Sequence, residues 1–389
     1  MRALVLNTSS SEVVVEHVAR RTPNPGQILI HVQAIALNPV DELYVTSPIA
    51  TQEKRIIGTD FAGVVIEAAA EIADPDDARV KPGARVAGFL QGACSVNDRP
   101  GAFAEYIAIP YDLVWAVPER ISLEEASTIS MCGLTAAQAL FVRLGLPSPF
   151  SNATSSQLIP EGDKPINIFI YGSSTSVGLY AAQLAHIAAA TAGRPIKLIG
   201  AASSSKHSML RQKPYSYDVL VDYRDKDWVE KVKSATKGDS VDFALDCISE
   251  RDTVYNTHET LAPSAKFAVI RGPAGGEYDP TQMSVKPMYG AVWEGLGVEV
   301  GYNGSVLPAN PDAHKFAKEF YNFLSSTGPS GKAKLEANPV RLMPGGLERV
   351  VPDGFALLGS GPVSQRTKLA RIEEYMRPIS GEKLVYKIG

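Results

Sequence analysis

The chain has 389 residues, 45% of them hydrophobic and 21% charged, a globular composition too long for one ordinary core and suited to two domains. Its formal net charge of −4 excludes the basic excess that nucleic acid or an anionic membrane selects. Three cysteines, Cys94, Cys132 and Cys247, stand far apart with no C-x-x-C pair. Neither a disulfide framework nor a four-thiolate zinc lobe is expected, and a reducing, cytoplasmic compartment fits.

The opening Met1-Arg-Ala-Leu-Val-Leu6 is strand-like and carries no charged, apolar, small-residue leader. Residues 3–6, 13–15 and 28–37 are apolar runs rich in β-branched residues. Strand signals continue at Gly63-Val-Val-Ile66, Ala84-Arg-Val-Ala87 and Ala104-Glu-Tyr-Ile107, between turns such as Lys81-Pro-Gly83 and Arg99-Pro-Gly101. Many short strands with glycine-rich turns predict a mostly-β, partly closed barrel. Ser122-Leu-Glu-Glu125 has capping-box spacing and opens a helix. A second helix is expected over 135–144, followed by a polar loop over 147–165.

From Ile166 strands and helices alternate. Strands are expected over 166–171, 197–202, 241–247 and 266–270, with helices over 177–190 and 227–235. This order predicts a doubly wound parallel sheet, and so an α/β chain with a second, β-rich domain. The helix over 177–190 overlaps the most apolar helical run, 179–192, which holds Gln183 and His186 and is too short to span a bilayer. Beyond residue 300 a helix is expected over 311–325, with Phe316, Phe320, Phe323 and Leu324 on one face, then another over 346–358 and a last strand over 383–388. Asn7, Asn152 and Asn303 match the glycosylation pattern, which without a leader reads as chance.

The strongest chemical signal is Ile168-Phe-Ile-Tyr-Gly-Ser-Ser-Thr-Ser-Val-Gly178. A strand, a tight turn and a helix start make a phosphate site, because free amides and the positive end of the helix dipole meet there. Gly172 permits the turn and Gly178 a close approach of helix to sheet, while Ser174, Thr175, Ser176 and Val177 are the candidate phosphate contacts. The spacing departs from G-x-G-x-x-G. The bland alternative is an ordinary strand-to-helix turn, which the following strand order argues against.

The end of the next strand separates the two nicotinamide dinucleotides. A carboxylate there holds a free ribose 2′-hydroxyl. Gly200-Ala-Ala-Ser-Ser-Ser-Lys-His207 has none, and Ser203, Ser204 and Lys206 suit a 2′-phosphate, so NADPH is the expected cofactor. Tyr223, in Val221-Asp-Tyr-Arg224, is a candidate to stack near the adenine or to donate its hydroxyl. A solvated surface loop is the alternative.

The fixed order Asn38-Pro-Val-Asp41, Gly58-Thr-Asp-Phe-Ala-Gly63, Pro82-Gly-Ala-Arg-Val86, Gly101-Ala-Phe-Ala-Glu-Tyr106, Gly133-Leu-Thr-Ala136 and the 168–178 segment resembles the quinone-oxidoreductase branch of the medium-chain dehydrogenase/reductase superfamily. The ending Ile379-Ser-Gly-Glu-Lys-Leu-Val-Tyr386 is similar to that of fungal trans-acting enoyl reductases, which partner polyketide synthases, including hybrids with peptide synthetase modules. The resemblance implies a GroES-like catalytic domain from 1–133 with 301–389, and a Rossmann domain over 134–300. It implies that Val40, Asp41, Thr135, residues 174–177 and 203–206, Tyr223, Ile270, Arg271, Ile379 and Ser380 line cofactor or substrate. Ala291, Val292, Trp293, Glu294 and Gly295 are implied for an acyl pocket. The partners implied are a carrier-bound acyl thioester and its synthase.

Several positions depart from the family. Glu42-Leu43 stands where relatives commonly carry Trp-Lys, which removes a lysine from the thioester. Residues 349–353 and 364–368 look inserted. The cysteine and histidine that zinc alcohol dehydrogenases place near 38–41 and 58–61 are absent, and the six histidines show no ligand spacing. No metal is therefore expected, and hydride addition to an alkene activated by a carbonyl is favoured over alcohol oxidation. That chemistry needs a donor at the carbonyl oxygen. Thr135, taken to open a helix, is the side-chain candidate, with a helix cap as the alternative. Tyr44 is a candidate proton source for the α-carbon, with packing or solvent as alternatives. Three readings remain: a trans-acting enoyl reductase, a stand-alone quinone or alkenal reductase, and a non-catalytic companion of a synthase.

Overall fold

The computed structural model describes residues 1–49, 52–93, 99–150, 164–238, 240–302, 305–327, 333–359, 361 and 371–389. Cys94, Asn152, Asn303, most of the polar loop and residues 364–368 lie outside the described residues. In chain order the elements are β1 (Arg2–Asn7), β2 (Glu12–His17), β3 (Gln27–Ala36), α1 (Pro39–Thr46), β4 (Arg55–Ile56), β5 (Asp60–Ala68), β6 (Arg85–Phe89), β7 (Tyr106–Pro110), β8 (Val114–Ala116), α2 (Leu123–Ala126) and α3 (Ser130–Ala137). Then come β9 (Ile166–Tyr171), α4 (Ser176–Ala192), β10 (Ile196–Ala201), α5 (His207–Arg211), β11 (Val219–Val221), α6 (Trp228–Ala235), β12 (Val241–Asp246), α7 (Arg251–His258), β13 (Leu261–Val269), α8 (Pro273–Gly276) and β14 (Pro287–Tyr289). The chain closes with β15 (Val300–Tyr302), β16 (Ser305–Leu307), α9 (Pro311–Ser325), β17 (Val340–Met343), α10 (Ala356–Leu358) and β18 (Lys383–Lys387).

The chain divides into two compact units. The first is Met1–Met131 with Trp293–Gly389, and the second is Cys132–Val292. The first unit carries the β-rich fold that its short strands and turns predict. Its main sheet runs β17-β18-β3-β5-β6-β8, with β7 also paired to β3. β3 pairs with β18, β5 and β7, and most of its ten residues are buried. Register shifts between β3 and β5 at Leu29/Ile30 and Val32/Ala34 bend this pair. Gly63 sits at the second shift, where a Cβ would lie 2.2 Å from the His31 carbonyl oxygen; only glycine permits that approach.

The second unit is the doubly wound sheet expected from the alternating pattern. Six strands in the order β11-β10-β9-β12-β13-β14 are parallel throughout. β9 is buried along its whole length, as a central strand covered on both faces must be. Phe169, Ile199, Ala244, Phe267, Val232 and Trp228 form the core of one face.

Two helices differ from expectation. The helix bearing Thr135 starts at Ser130, not at Thr135, and continues as a π-helix over Gln138–Arg143. Thr135 is therefore its sixth residue and not at the N-cap position. Gly133 is buried inside this helix, where tertiary packing outweighs its poor propensity. Residues 346–358 are not one regular helix either. They run as a 3-10 turn (Leu347–Arg349), a π-helix (Val350–Phe355) and one α-turn. Pro352 lacks the N–H an α-helix needs, and the Arg349 guanidinium pairs with the buried Asp353 at 2.8 Å across the irregular segment. No helix among the described residues is long and apolar enough to cross a membrane.

Candidate functional site

In the second unit, the residues singled out in the sequence gather at the carboxyl ends of the parallel strands. β9 ends at Tyr171, and Gly172 turns with φ +74°. The Gly172 and Ser173 amides both donate to the Ala201 carbonyl, at 3.1 and 3.0 Å, which ties the turn to β10. The fully buried Ser173 hydroxyl donates back to Ile170 at 2.8 Å. Thr175 caps α4, its Oγ1 accepting the Gly178 amide at 3.1 Å, so this hydroxyl holds the helix start together. Ser176 and Val177 are the first two residues of a 17-residue helix, and their amides have no carbonyl four residues back to take. A Cβ at Gly178 would lie 2.3 Å from the Gly172 carbonyl oxygen. The helix start thus rests directly on the turn, and the arrangement fits an anionic phosphate.

The neighbouring strand end carries Ser203, Ser204 and Lys206 in a short 3-10 turn. The Lys206 amide closes it on the Ser203 carbonyl at 2.8 Å, and the Ser203 and Ser205 hydroxyls lie 3.3 Å apart. Tyr223, after β11, is 40% exposed, with its ring centroid 6.2 Å from that of Tyr171. Reading the sequence alone missed Asp222, whose carboxylate accepts the Ser204 amide at 2.8 Å.

At the ends of β12 and β13 the organiser is Asp246, also missed. Its fully buried carboxylate accepts the Ile248 and Ser249 amides at 2.8 and 2.9 Å and the Thr253 hydroxyl at 2.5 Å. Burial pushes its pKa up to about 6 against these hydrogen bonds. The Ser249 hydroxyl accepts the Ile270 amide at 2.9 Å, and Arg271 pairs with Glu250 at 3.3 Å. Ile270 and Arg271 are thereby fixed beside the same sheet edge. The one available signal for Asp246 was an aspartate at a strand end with a serine three residues on, Asp246-Cys-Ile-Ser249, compatible with an Asx turn. Thr135 is half-buried in α3. Ala291 and Val292 are buried, and a Cβ on the preceding Gly290 would meet the Arg143 guanidinium at 1.6 Å.

The first unit holds the other candidates. Asp41 sits in the first turn of α1, beneath Asn38. The Asn38 amide donates to Asp41 Oδ2 at 2.7 Å, and the Asn38 side chain donates to Thr59 and Asp60 at 2.8 and 2.9 Å. Thr59 donates to Asp41 Oδ2 at 3.3 Å. The Lys383 ammonium pairs with Asp60 at 2.5 Å, and the Met131 amide donates to the other Asp60 oxygen at 3.0 Å. Asp41 is thus one member of a buried network, while its Oδ1 makes no hydrogen bond. Val40 is half-buried and Tyr44 is buried. Ile379 and Ser380 ride on a segment stapled by the buried Arg341, which donates to the carbonyls of Tyr375, Arg377 and Pro378 and pairs with Glu382. Trp293 is buried with its ring 6.0 Å from Phe89. Glu294 accepts the Asn310 amide at 3.3 Å, and the Gly295 carbonyl meets His314 Nδ1 at 3.1 Å, so both brace the start of α9.

Burial pushes the Asp41 carboxyl up to about 7, against the lowering effect of the Asn38 and Thr59 hydrogen bonds. The folded chain then binds a proton that the unfolded chain has released above its ordinary carboxyl range. Stability from this group is fully present below about 4 and is lost as pH rises through about 7. Asp41→Asn should erase that share of the slope. Urea melts at several pH values are expected to show the variant gaining on the unmutated chain between pH 4 and 8; parallel curves would contradict it.

No group of three His, Cys, Asp or Glu able to hold a metal occurs among the described residues. Where a zinc site of this fold would draw on 38–41 and 58–61 stand Asn38, Thr59, an Asp41 that accepts from both, and an Asp60 already paired with an ammonium, with no cysteine or histidine. This donor set does not fit zinc.

The chain matches the alcohol dehydrogenase GroES-like domain family over residues 24–119 and the zinc-binding dehydrogenase family over residues 176–291. Trans-enoyl reductase ACTTS2 of Alternaria alternata is 31% identical over 396 residues, covering 100% of this chain and 98% of that protein. Trans-enoyl reductase mpsG of Macrophomina phaseolina is 30% identical, over 87% of this chain and 89% of that one. Among solved structures, an alcohol dehydrogenase superfamily protein from Novosphingobium aromaticivorans superposes with a TM-score of 0.72 at 19% identity over 100% of both chains. The CurK enoyl reductase does so with a TM-score of 0.68 at 17% identity, over 100% of this chain and 99% of that one.

Proposed function

The chain belongs to the trans-enoyl reductase family of the medium-chain dehydrogenases/reductases, and from that premise we propose that it reduces the α,β-unsaturated thioester of a carrier-bound polyketide intermediate with NADPH. It acts in trans, in the cytoplasm, on an acyl chain presented by a separate synthase. The observation that carries this reading is the phosphate cradle of the second unit, where the turn from Gly172 lays the start of α4 against the carboxyl edge of the sheet.

The Ser176 and Val177 amides hold the pyrophosphate, with Ser174 beside them. Ser203, Ser204 and Lys206 receive the 2′-phosphate, and Tyr223 offers a face to the adenine. Ile270 and Arg271 complete this edge. When bound, the reduced nicotinamide supplies hydride to the β-carbon of the substrate. Negative charge then grows on the thioester oxygen, and the Thr135 hydroxyl is the donor assigned to it. Position 43 is a leucine, 37% exposed, so no ammonium there takes part. The buried Ala291 and Val292 offer an apolar surface suited to an acyl chain.

Thr135→Val keeps the β-branched shape and removes the donor. Because the helix already starts at Ser130, melting is expected to change little. If the hydroxyl serves the growing charge, kcat and kcat/KM fall together by roughly 10²–10³; a raised KM for NADPH alone would move Thr135 to cofactor positioning. NADPH is expected to bind more tightly than NADH by at least about tenfold, or roughly 1.4 kcal/mol, and equal dissociation constants would refute the assignment. The function itself is tested with NADPH and three acceptors: an enoyl thioester on a pantetheine arm, a free enal and a quinone. Oxidation by the thioester supports the reading. Oxidation by only the enal or quinone replaces it with a stand-alone reductase, and oxidation by none leaves a non-catalytic companion.

A further inference from the structure

β10 and β11 run parallel, with Ala201 opposite Val221, and the Ala202 amide donates to the Val221 carbonyl at 3.1 Å. The residues just beyond the two strands are therefore neighbours. Asp222 joins them. Its Oδ2 accepts the Ser204 amide at 2.8 Å, and its Oδ1 accepts the Arg224 amide at 3.0 Å and lies 3.5 Å from the Arg224 guanidinium. Arg224 in turn lies over the exposed Tyr223 ring, 4.7 Å from its centroid. One carboxylate thus pins the serine turn on one side and an arginine on the other.

By charge alone Asp222 would disfavour a phosphate, and by position it would be taken for the acid that holds a free ribose hydroxyl. Its hydrogen bonds argue otherwise, because both oxygens already serve protein donors. Resting on the NADPH reading, we propose that Arg224 is a second cation for the 2′-phosphate and that Asp222 is the positioning residue that builds the subsite. Asp222 bridges the Ser204 amide and Arg224, and the Ser203 and Ser205 hydroxyls, 3.3 Å apart, flank Ser204 in the turn that ends at Lys206. Arg224 is 59% exposed, so its guanidinium is accessible to a ligand from solvent. Partial burial opposes ionisation of Asp222, but the Arg224 and Ser204 hydrogen bonds outweigh it and draw the carboxyl down to about 2. The group is an anion at neutral pH, and its charge is spent on these donors.

Adenosine 2′,5′-bisphosphate and AMP, titrated calorimetrically at fixed ionic strength, separate the roles without any turnover. Arg224→Ala is expected to weaken the bisphosphate by about tenfold, the loss of one charge-assisted contact, while AMP binds as before. Asp222→Ala is also expected to weaken the bisphosphate selectively, although it removes a negative charge, and Arg224→Lys should fall between Arg224→Ala and the unmutated chain. Tighter bisphosphate binding by Asp222→Ala would show simple repulsion and overturn the positioning role. Unchanged binding by Arg224→Ala would overturn the second cation. Either failure, with the unmutated chain still favouring the bisphosphate over AMP, leaves the NADPH reading standing. An unmutated chain that binds both alike would remove that reading and this proposal together.

Discussion

Alanine at Gly178 is expected to weaken dinucleotide binding by roughly tenfold to a hundredfold, matching about 1–3 kcal/mol for a forced overpacking. The added Cβ would lie 2.3 Å from the Gly172 carbonyl oxygen and 3.0 Å from two backbone atoms of Ser173. These are backbone atoms, so no side chain can swing away to relieve the clash. The turn cannot retreat easily either, because Gly172 and Ser173 both donate to Ala201 on the adjacent strand. The helix start must lift from the turn, carrying the Ser176 and Val177 amides out of register with a phosphate. Gly193, at the other end of α4, supplies the control. It has φ +62° with nothing within 4 Å of a Cβ. Alanine there should cost about 1 kcal/mol of stability and leave affinity unchanged. Fluorescence titration with NADPH and a thermal melt on both variants make the comparison. Full affinity in Gly178→Ala would mean that this turn holds no pyrophosphate.

Lys383→Met is expected to destabilise the chain by about 3–5 kcal/mol, the usual consequence of leaving one member of a buried ion pair alone. Lys383 and Asp60 are 3% and 0% exposed. Without the ammonium, Asp60 keeps only the neutral donors Asn38 and Met131. The double variant Asp60→Asn with Lys383→Met should recover much of the loss, since both charges are then gone and the shape is nearly kept. Urea melts of the single and double variants check this. A single variant within about 0.5 kcal/mol of the unmutated chain would show that the pair adds nothing beyond an ordinary surface contact.

Local chemistry was the legible part of the sequence. Asn310 and Pro311 set the start of α9, and Phe316, Phe320 and Leu324 mark its buried face, while Phe323 is only half-buried. Ser122 and Glu125 form the capping box their spacing announces. Gly172 and Gly178 reveal the turn because each answers a local need, one a positive φ and the other a missing Cβ. The short elements left no comparable trace: β4 has two residues, and β8, β11 and β14 have three each, too few to show a period. Helix α1 was hidden because Pro39 reads as a turn residue until its place at the first helical position is known. Thr135 lies inside α3 and not at its start; residues 130–134 carry no cap or breaker that would mark Ser130 as the first turn.

The site residues that escaped notice are those whose partners lie far along the chain. Lys383 and Asp60 are 323 positions apart, and Arg341 staples carbonyls 34 to 37 residues away. Asp222 and Asp246 are nearer their partners. Their carboxylates mainly serve backbone amides, however, which leave little residue-type signal.

The central claim, that this chain delivers hydride to an enoyl thioester, is tested most directly with NADPH deuterated at the transferable C4 position. The purified chain is mixed with an α,β-unsaturated acyl thioester on a pantetheine arm, and the product is read by mass spectrometry and NMR. The account predicts a saturated thioester carrying deuterium at the β-carbon, with the α-carbon protonated from solvent or from an exchangeable side chain. Recovery of unreduced thioester, or of a saturated product with no deuterium at the β-carbon, would contradict it.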